Sequence, residues 1–172
     1  ANLVLEGIPE SRIYVTGNPI GQVLDYYAPD VDASSVLDRL ELEDGGYFLV
    51  TAHRAENVDV AGRLAALVRA LGGLADEHGV PVVVSVHPRT RSQAEQQGID
   101  LARSGVRYLD PLGFMDFVRL ERSARCILTD SGTVQEEACI LGTPSVTIRD
   151  VTERPETIDA GSNVLAGMDP GR

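Results

Sequence analysis

From residue 46 onward, short apolar runs alternate with longer segments whose apolar residues recur every three or four positions. That alternation is the pattern of strands feeding helices, and it restricts the chain to an α/β fold built on a parallel sheet. Residues 47–51, 81–86, 106–109, 125–129, 145–148 and 163–166 read as strands. The run Pro81-Val82-Val83-Val84-Ser85-Val86 is almost continuously apolar, as a strand covered on both faces must be. Between the first two strands, Val60, Leu64, Leu67, Val68, Leu71 and Leu74 form the single apolar face of a helix. Asn57 or Asp59 is its expected cap, and His78-Gly79 its end. A weaker helical pattern covers 91–103, Phe114, Phe117 and Val118 mark another, and Val134, Ala138 and Leu141 a further one that stops at Gly142. A short helix over 155–160 precedes the last strand. These units predict a doubly wound, Rossmann-like sheet with its ligand crevice at the carboxyl ends of the strands.

Residues 1–45 stand outside this rhythm. The stretch 2–7 reads as the end of a helix, 13–19 as a strand and turn, and the acidic segment through Asp44-Gly45-Gly46 as a linker. The expected division is therefore the tail of a preceding domain with its linker over 1–45, and one sheet domain over 46–172.

Composition removes several functions. Fifteen cations against 26 acidic residues leave a net charge of −11, the wrong sign for general attraction to nucleic acid or an anionic membrane. An anionic ligand needs a locally built site. Every cation is Arg, so a P-loop lysine, a Schiff base and a lysine general base are excluded. Cys126 and Cys139 stand alone, without the spacing of a disulfide framework or a zinc site, and read as reduced thiols of a cytoplasmic protein. No apolar run approaches the roughly 20 residues that cross a bilayer.

The strand ends carry the chemistry-bearing residues. The first leads into His53-Arg54-Ala55-Glu56-Asn57, a proton-transfer group beside a cation. The second leads into His87-Pro88-Arg89-Thr90-Arg91. After the fourth, Thr129-Asp130-Ser131-Gly132-Thr133 opens a helix with small residues, an arrangement that offers free backbone N–H groups and a positive dipole end to phosphate. Glu136 or Glu137, one turn on, has the reach to accept hydrogen bonds from both ribose hydroxyls. The fifth leads into Arg149-Asp150-Val151-Thr152-Glu153-Arg154. An ordinary helix cap and surface ion pairs account for the same residues without a ligand. Two functional readings compete with that one: a nucleotide-sugar half with phosphate at 131–133, and a serine hydrolase with Ser131 as nucleophile, His53 or His87 as base and Asp130 or another acid as orienter. The G-x-S-x-G elbow that the hydrolase needs is absent.

Taken in order, Glu6-Gly7-Ile8-Pro9, Val15-Thr16-Gly17-Asn18, His53-Arg54 with Glu56-Asn57, and Val86-His87-Pro88-Arg89-Thr90-Arg91 resemble the non-hydrolysing UDP-N-acetylglucosamine 2-epimerase family. The resemblance continues through 110–117, Leu128-Thr129-Asp130-Ser131-Gly132, Gln135-Glu136-Glu137-Ala138 and Thr152-Glu153-Arg154-Pro155-Glu156. It implies the second, UDP-binding domain of a GT-B-type enzyme that interconverts UDP-GlcNAc and UDP-ManNAc by eliminating and re-adding UDP. It also implies no metal or nicotinamide cofactor and a homodimeric parent. Carried over by position, Leu112 and Phe117 frame the uracil, Ser131, Gly132 and Thr133 hold the diphosphate, Glu137 binds the ribose and Arg154 adds a phosphate cation. His53 is the catalytic residue expected at the leaving diphosphate, with Arg54, His87 and Arg149 near the cleft. Thr133 and Ala55 stand where relatives often carry Gly and Arg. The acid/base carboxylates and the family lysine belong to a first domain, so the 172-residue chain is expected to be inactive alone, and a C-terminal helix is expected beyond Arg172. A 2-epimerase of UDP-2,3-diacetamido-2,3-dideoxy-glucuronic acid has similar motifs and remains the alternative within the family.

Overall fold

The computed structural model describes residues 2–60 and 62–167. All six expected strands form: β1 Phe48–Thr51, β2 Val82–Ser85, β3 Val106–Leu109, β4 Cys126–Thr129, β5 Ser145–Thr147 and β6 Asn163–Leu165. Every pairing is parallel, in the order β3-β2-β1-β4-β5-β6, the doubly wound Rossmann arrangement. The strand order reverses between β1 and β4, and that switch point is where such a sheet opens a crevice.

The helices are α1 Asn2–Leu5, α2 Ile20–Asp32, α3 Val36–Arg39, α4 Ala55–Val58, α5 Arg63–His78, α6 Pro88–Gln96, α7 Phe114–Ser123, α8 Gly132–Leu141 and α9 Pro155–Asp159. Alternation along β1 sends Tyr47 and Leu49 to one face, where they meet Leu120 of α7 and Val134 and Ala138 of α8. Phe48 and Val50 go to the other face, against Leu67, Leu71 and Ala75 of α5. Each face thereby buries its own apolar stripe.

Residues before 46 depart from expectation. No strand forms over 13–19, and the supposed linker is helical from Ile20. Ile20, Leu24 and Val31 of α2 pack on Met115 and Val118 of α7 and Leu141 of α8. Polar contacts add to this, with Ser34 Oγ donating to Asp116 Oδ1 at 2.6 Å, and Arg39 and Arg122 pairing with Asp116 and Asp32. Residues 20–45 thus lie on the body of the sheet domain. The helix after β1 also differs: α4 ends at Val58 and α5 begins at Arg63, with Gly62, whose φ of 82° is left-handed, at its N-cap in place of Asn57 or Asp59. The helix expected to run to Arg103 ends at Gln96, because left-handed Gly98 (φ 64°) turns the chain and Ile99 N–H bonds back to Ala94 O at 2.8 Å. The C-terminal end of the expected 46–172 domain, residues 168–172, lies outside the described residues.

One buried acid tests the packing of α7 on α8. Glu121 is fully buried, neither of its oxygens has a donor among the described residues, and it faces Glu137 of α8. Burial, reinforced by the Glu137 charge, pushes its carboxyl up to about 9 from an ordinary 4.5. The fold therefore keeps a proton that the unfolded chain releases. This contribution is complete below about pH 4.5 and is lost as pH rises through about 9. Glu121→Gln should abolish the component: thermal melts between pH 5 and 9 should fall with pH for the parent chain and much less for the variant. Parallel curves would contradict the assignment.

Candidate active site

Strand register sets the rim of the site. Thr51 pairs with Ser85 on one side and Thr129 on the other, and Thr129 pairs with Thr147, so the four strand ends form one row. His87, His53, Ser131 and Arg149 each follow that row by two residues. Parallel register alone therefore lines up four of the expected residues along one edge.

At the centre is Asp130, one residue past β4 and fully buried. Its carboxylate accepts the backbone N–H of His53 at 3.0 Å, that of Arg54 at 2.9 Å and the Asn57 amide at 3.0 Å. His53 Nδ1 lies 3.2 Å from Oδ1. Burial raises the carboxyl's pKa, but hydrogen bonds from His53, the Arg54 N–H and Asn57 outweigh it and hold Asp130 below the ordinary carboxylate range. An ionised Asp130 assigns the Nδ1 proton of His53 and leaves Nε2, on a part-exposed ring, for chemistry. Asn57 also donates to Ile148 O at 3.1 Å, which fastens the α4 turn to β5.

His87 caps α6, its Nδ1 accepting from Arg89 N–H at 3.2 Å, and its ring centre is 5.9 Å from that of His53. Arg54 is half-buried beside it. Arg149 is buried and committed to Glu56 at 2.8 Å and Glu153 at 3.4 Å, joining α4 to the loop after β5. Its cation therefore braces the rim and does not face the cleft alone.

The other side of the crevice is the start of α8. Ser131 is the N-cap by position, yet its side chain makes no capping bond. Its own N–H is turned inward to Thr129 Oγ1 at 3.0 Å, and that hydroxyl lies 2.7 Å from Thr51 Oγ1. The first-turn N–H groups of α8 are thus left to an outside acceptor, with the positive end of the helix dipole behind them. Arg154 lies across Gly132: a Cβ built there would stand 3.6 Å from the guanidinium carbon. Its Nε is 2.7 Å from Glu136 Oε1. Thr133 is exposed at the helix start, while Glu137 is buried on the same helix with its carboxyl raised by burial. Leu112, after β3, and Phe117, in the first turn of α7, are both half-buried and pack against the core cluster that includes Val134 and Ala138 of α8.

The hydrolase reading is not supported. Among the described residues neither His53 nor His87 hydrogen-bonds Ser131, and the His–Asp pair is turned to the β1 loop. Among those residues no group of three His, Cys, Asp or Glu side chains has the geometry to hold a metal ion, and no helix is long and apolar enough to cross a membrane.

The family model described as UDP-N-acetylglucosamine 2-epimerase matches residues 1–172. The chain belongs to the UDP-N-acetylglucosamine 2-epimerase family. It is 40% identical to the UDP-N-acetylglucosamine 2-epimerase of Methanocaldococcus jannaschii, covering 96% of this chain and 47% of that protein. It is 43% identical to a UDP-2,3-diacetamido-2,3-dideoxy-D-glucuronate 2-epimerase of Pseudomonas aeruginosa, over 71% of this chain and 33% of that protein. The crystal structure of the Methanocaldococcus jannaschii UDP-GlcNAc 2-epimerase with UDP-GlcNAc and UDP superposes with a TM-score of 0.90 at 37% identity, covering 99% of this chain and 48% of that one. An Escherichia coli heptosyltransferase shares the fold alone, at a TM-score of 0.51 and 16% identity over 74% of this chain and 39% of that one. The chain spans about half the length of the curated family members it matches.

Removing the Asp130 charge tests this geometry. Its folded pKa lies below the unfolded one, so its stabilisation is present above the ordinary 3.8 and is lost as pH falls through the lower folded value. Asp130→Asn should lower the unfolding free energy near pH 7 by roughly 2–3 kcal/mol, the scale of hydrogen bonds to a buried charge. Urea denaturation should show the deficit shrinking as the buffer is taken more acid than pH 3.8.

Proposed function

We propose that the protein containing this chain is a UDP-N-acetylglucosamine 2-epimerase, and that residues 20–167 form its UDP-binding half behind a preceding domain. The observation that carries this reading is the start of α8, where uncapped N–H groups, a helix dipole and Arg154 converge on one place in a strongly acidic chain. A diphosphate seated there meets Ser131, Gly132 and Thr133 with Arg154 above, while Glu137 takes the ribose and backbone groups near Leu112 and Phe117 take the uracil.

The chemistry follows from that placement. When the C2 proton is removed by a base of the preceding domain, the C1–O bond breaks and electrons move onto the departing diphosphate. The α8 dipole, its N–H groups and Arg154 stabilise that charge, and His53 Nε2 at the opposite rim acts as acid or electrostatic partner. The products are UDP and a 2-acetamidoglucal; UDP re-adds at C1 while a proton is delivered to the opposite face of C2, which inverts that centre and completes the exchange. The parent is a cytoplasmic homodimer in this reading, and the isolated 172-residue chain turns over nothing. The 43% identity to the diacetamido-glucuronate epimerase keeps that sugar as a second reading.

Calorimetry on the full-length protein should find saturable UDP binding, weakened about tenfold by Ser131→Ala and by Glu137→Gln, the scale of one charge-assisted hydrogen bond. Full-length protein should interconvert UDP-GlcNAc and UDP-ManNAc, and the 172-residue chain should not. A folded full-length protein indifferent to UDP would overturn the reading, and turnover of the diacetamido-glucuronate substrate alone would replace its sugar.

A further inference from the structure

Gln135 is fully buried on α8, one turn past Ser131, whose carbonyl accepts its backbone N–H at 3.2 Å. Its side-chain oxygen accepts from Thr152 Oγ1 at 2.8 Å and from Asn163 Nδ2 at 3.3 Å. Both partners lead to the same residue. Thr152 Oγ1 accepts the Arg154 backbone N–H at 3.1 Å. Asn163 Nδ2 also donates to Thr157 Oγ1 at 3.2 Å, and that hydroxyl donates to Arg154 O at 2.9 Å.

Arg154 therefore has its N–H and its carbonyl each held by a hydroxyl, and each hydroxyl is tied to Gln135 Oε1, directly or through Asn163. It is the N-cap of the short helix α9, its carbonyl also accepting the Thr157 backbone N–H at 3.2 Å, and at φ −125° and ψ 60° its backbone lies between the helical and extended regions. We propose that Gln135 is a positioning residue that clamps Arg154 over the start of α8, so that helix and cation meet a diphosphate as one unit. This rests on the proposed UDP reading. Packing does not explain the residue: Gln135 Nε2 is buried without a partner among the described residues, a desolvation cost that Met or Leu would not carry.

The clamp predicts a loss confined to the phosphates. In the full-length protein, Gln135→Met and Thr152→Val should each weaken UDP binding by about tenfold, equivalent to roughly 1.4 kcal/mol. Both should leave uridine, which lacks the diphosphate, bound as by the parent. Thr152→Ser, which keeps the hydroxyl, should restore the UDP affinity. Thr152 is only half-buried, so its variants report even if Gln135→Met fails to fold. On an Arg154→Ala background, which has its own loss of UDP affinity, either change should cost nothing further. Parallel loss of UDP and uridine, or losses that add to that of Arg154→Ala, would overturn the clamp while leaving the UDP site standing. An unsubstituted protein that does not bind UDP, or an Arg154→Ala variant that binds it undiminished, would instead overturn the underlying site assignment.

Discussion

The Asp130 carboxylate is buried at the end of β4, and a charge in that place requires donors around it. The chain supplies them from one turn, the backbone of His53 and Arg54 with the side chain of Asn57, and so the loop after β1 is drawn across the switch point. His53 owes its orientation to the same carboxylate. The interaction joins the ends of the two parallel strands between which the strand order reverses, so fold and site share one fastening.

The two rims of the crevice are built by different means. The His53 rim is held by a buried charge and braced by Arg149 through Glu56. The α8 rim is held by neutral hydroxyls and amides around the helix end and the Arg154 backbone, while the Arg154 guanidinium lies across Gly132 and pairs with Glu136. In a chain of net charge −11 an anion must be held by such locally placed groups, because the overall charge does not steer it to the site.

Much of this was legible in the sequence because parallel strands announce themselves. Runs such as Pro81-Val82-Val83-Val84 leave no other assignment, and register then brings His53, His87 and Ser131 to one edge. What was not legible depends on tertiary contact. Asn57 has the composition of a helix cap, and only a buried carboxylate from a strand 73 residues away makes it an internal strut. Helix α2 carries apolar positions at Ile20, Leu24 and Val31, but Pro29 inside it and acidic neighbours conceal that it packs on α7 and α8. Gln135 gives no periodic signal, since a buried amide on a helix is recognised only by its partners. Asp130 was visible as a possible orienter, though only beside a serine nucleophile that the geometry does not supply.

A crystal structure of the full-length protein with UDP tests the assignment of the diphosphate site most directly. The diphosphate should lie at the amino end of α8, with oxygens about 3 Å from the backbone nitrogens of Gly132 and Thr133 and from the Arg154 guanidinium. His53 should still be held by Asp130, with Nε2 turned to the phosphate. A diphosphate bound at another strand end, with the start of α8 in contact only with solvent, would contradict it.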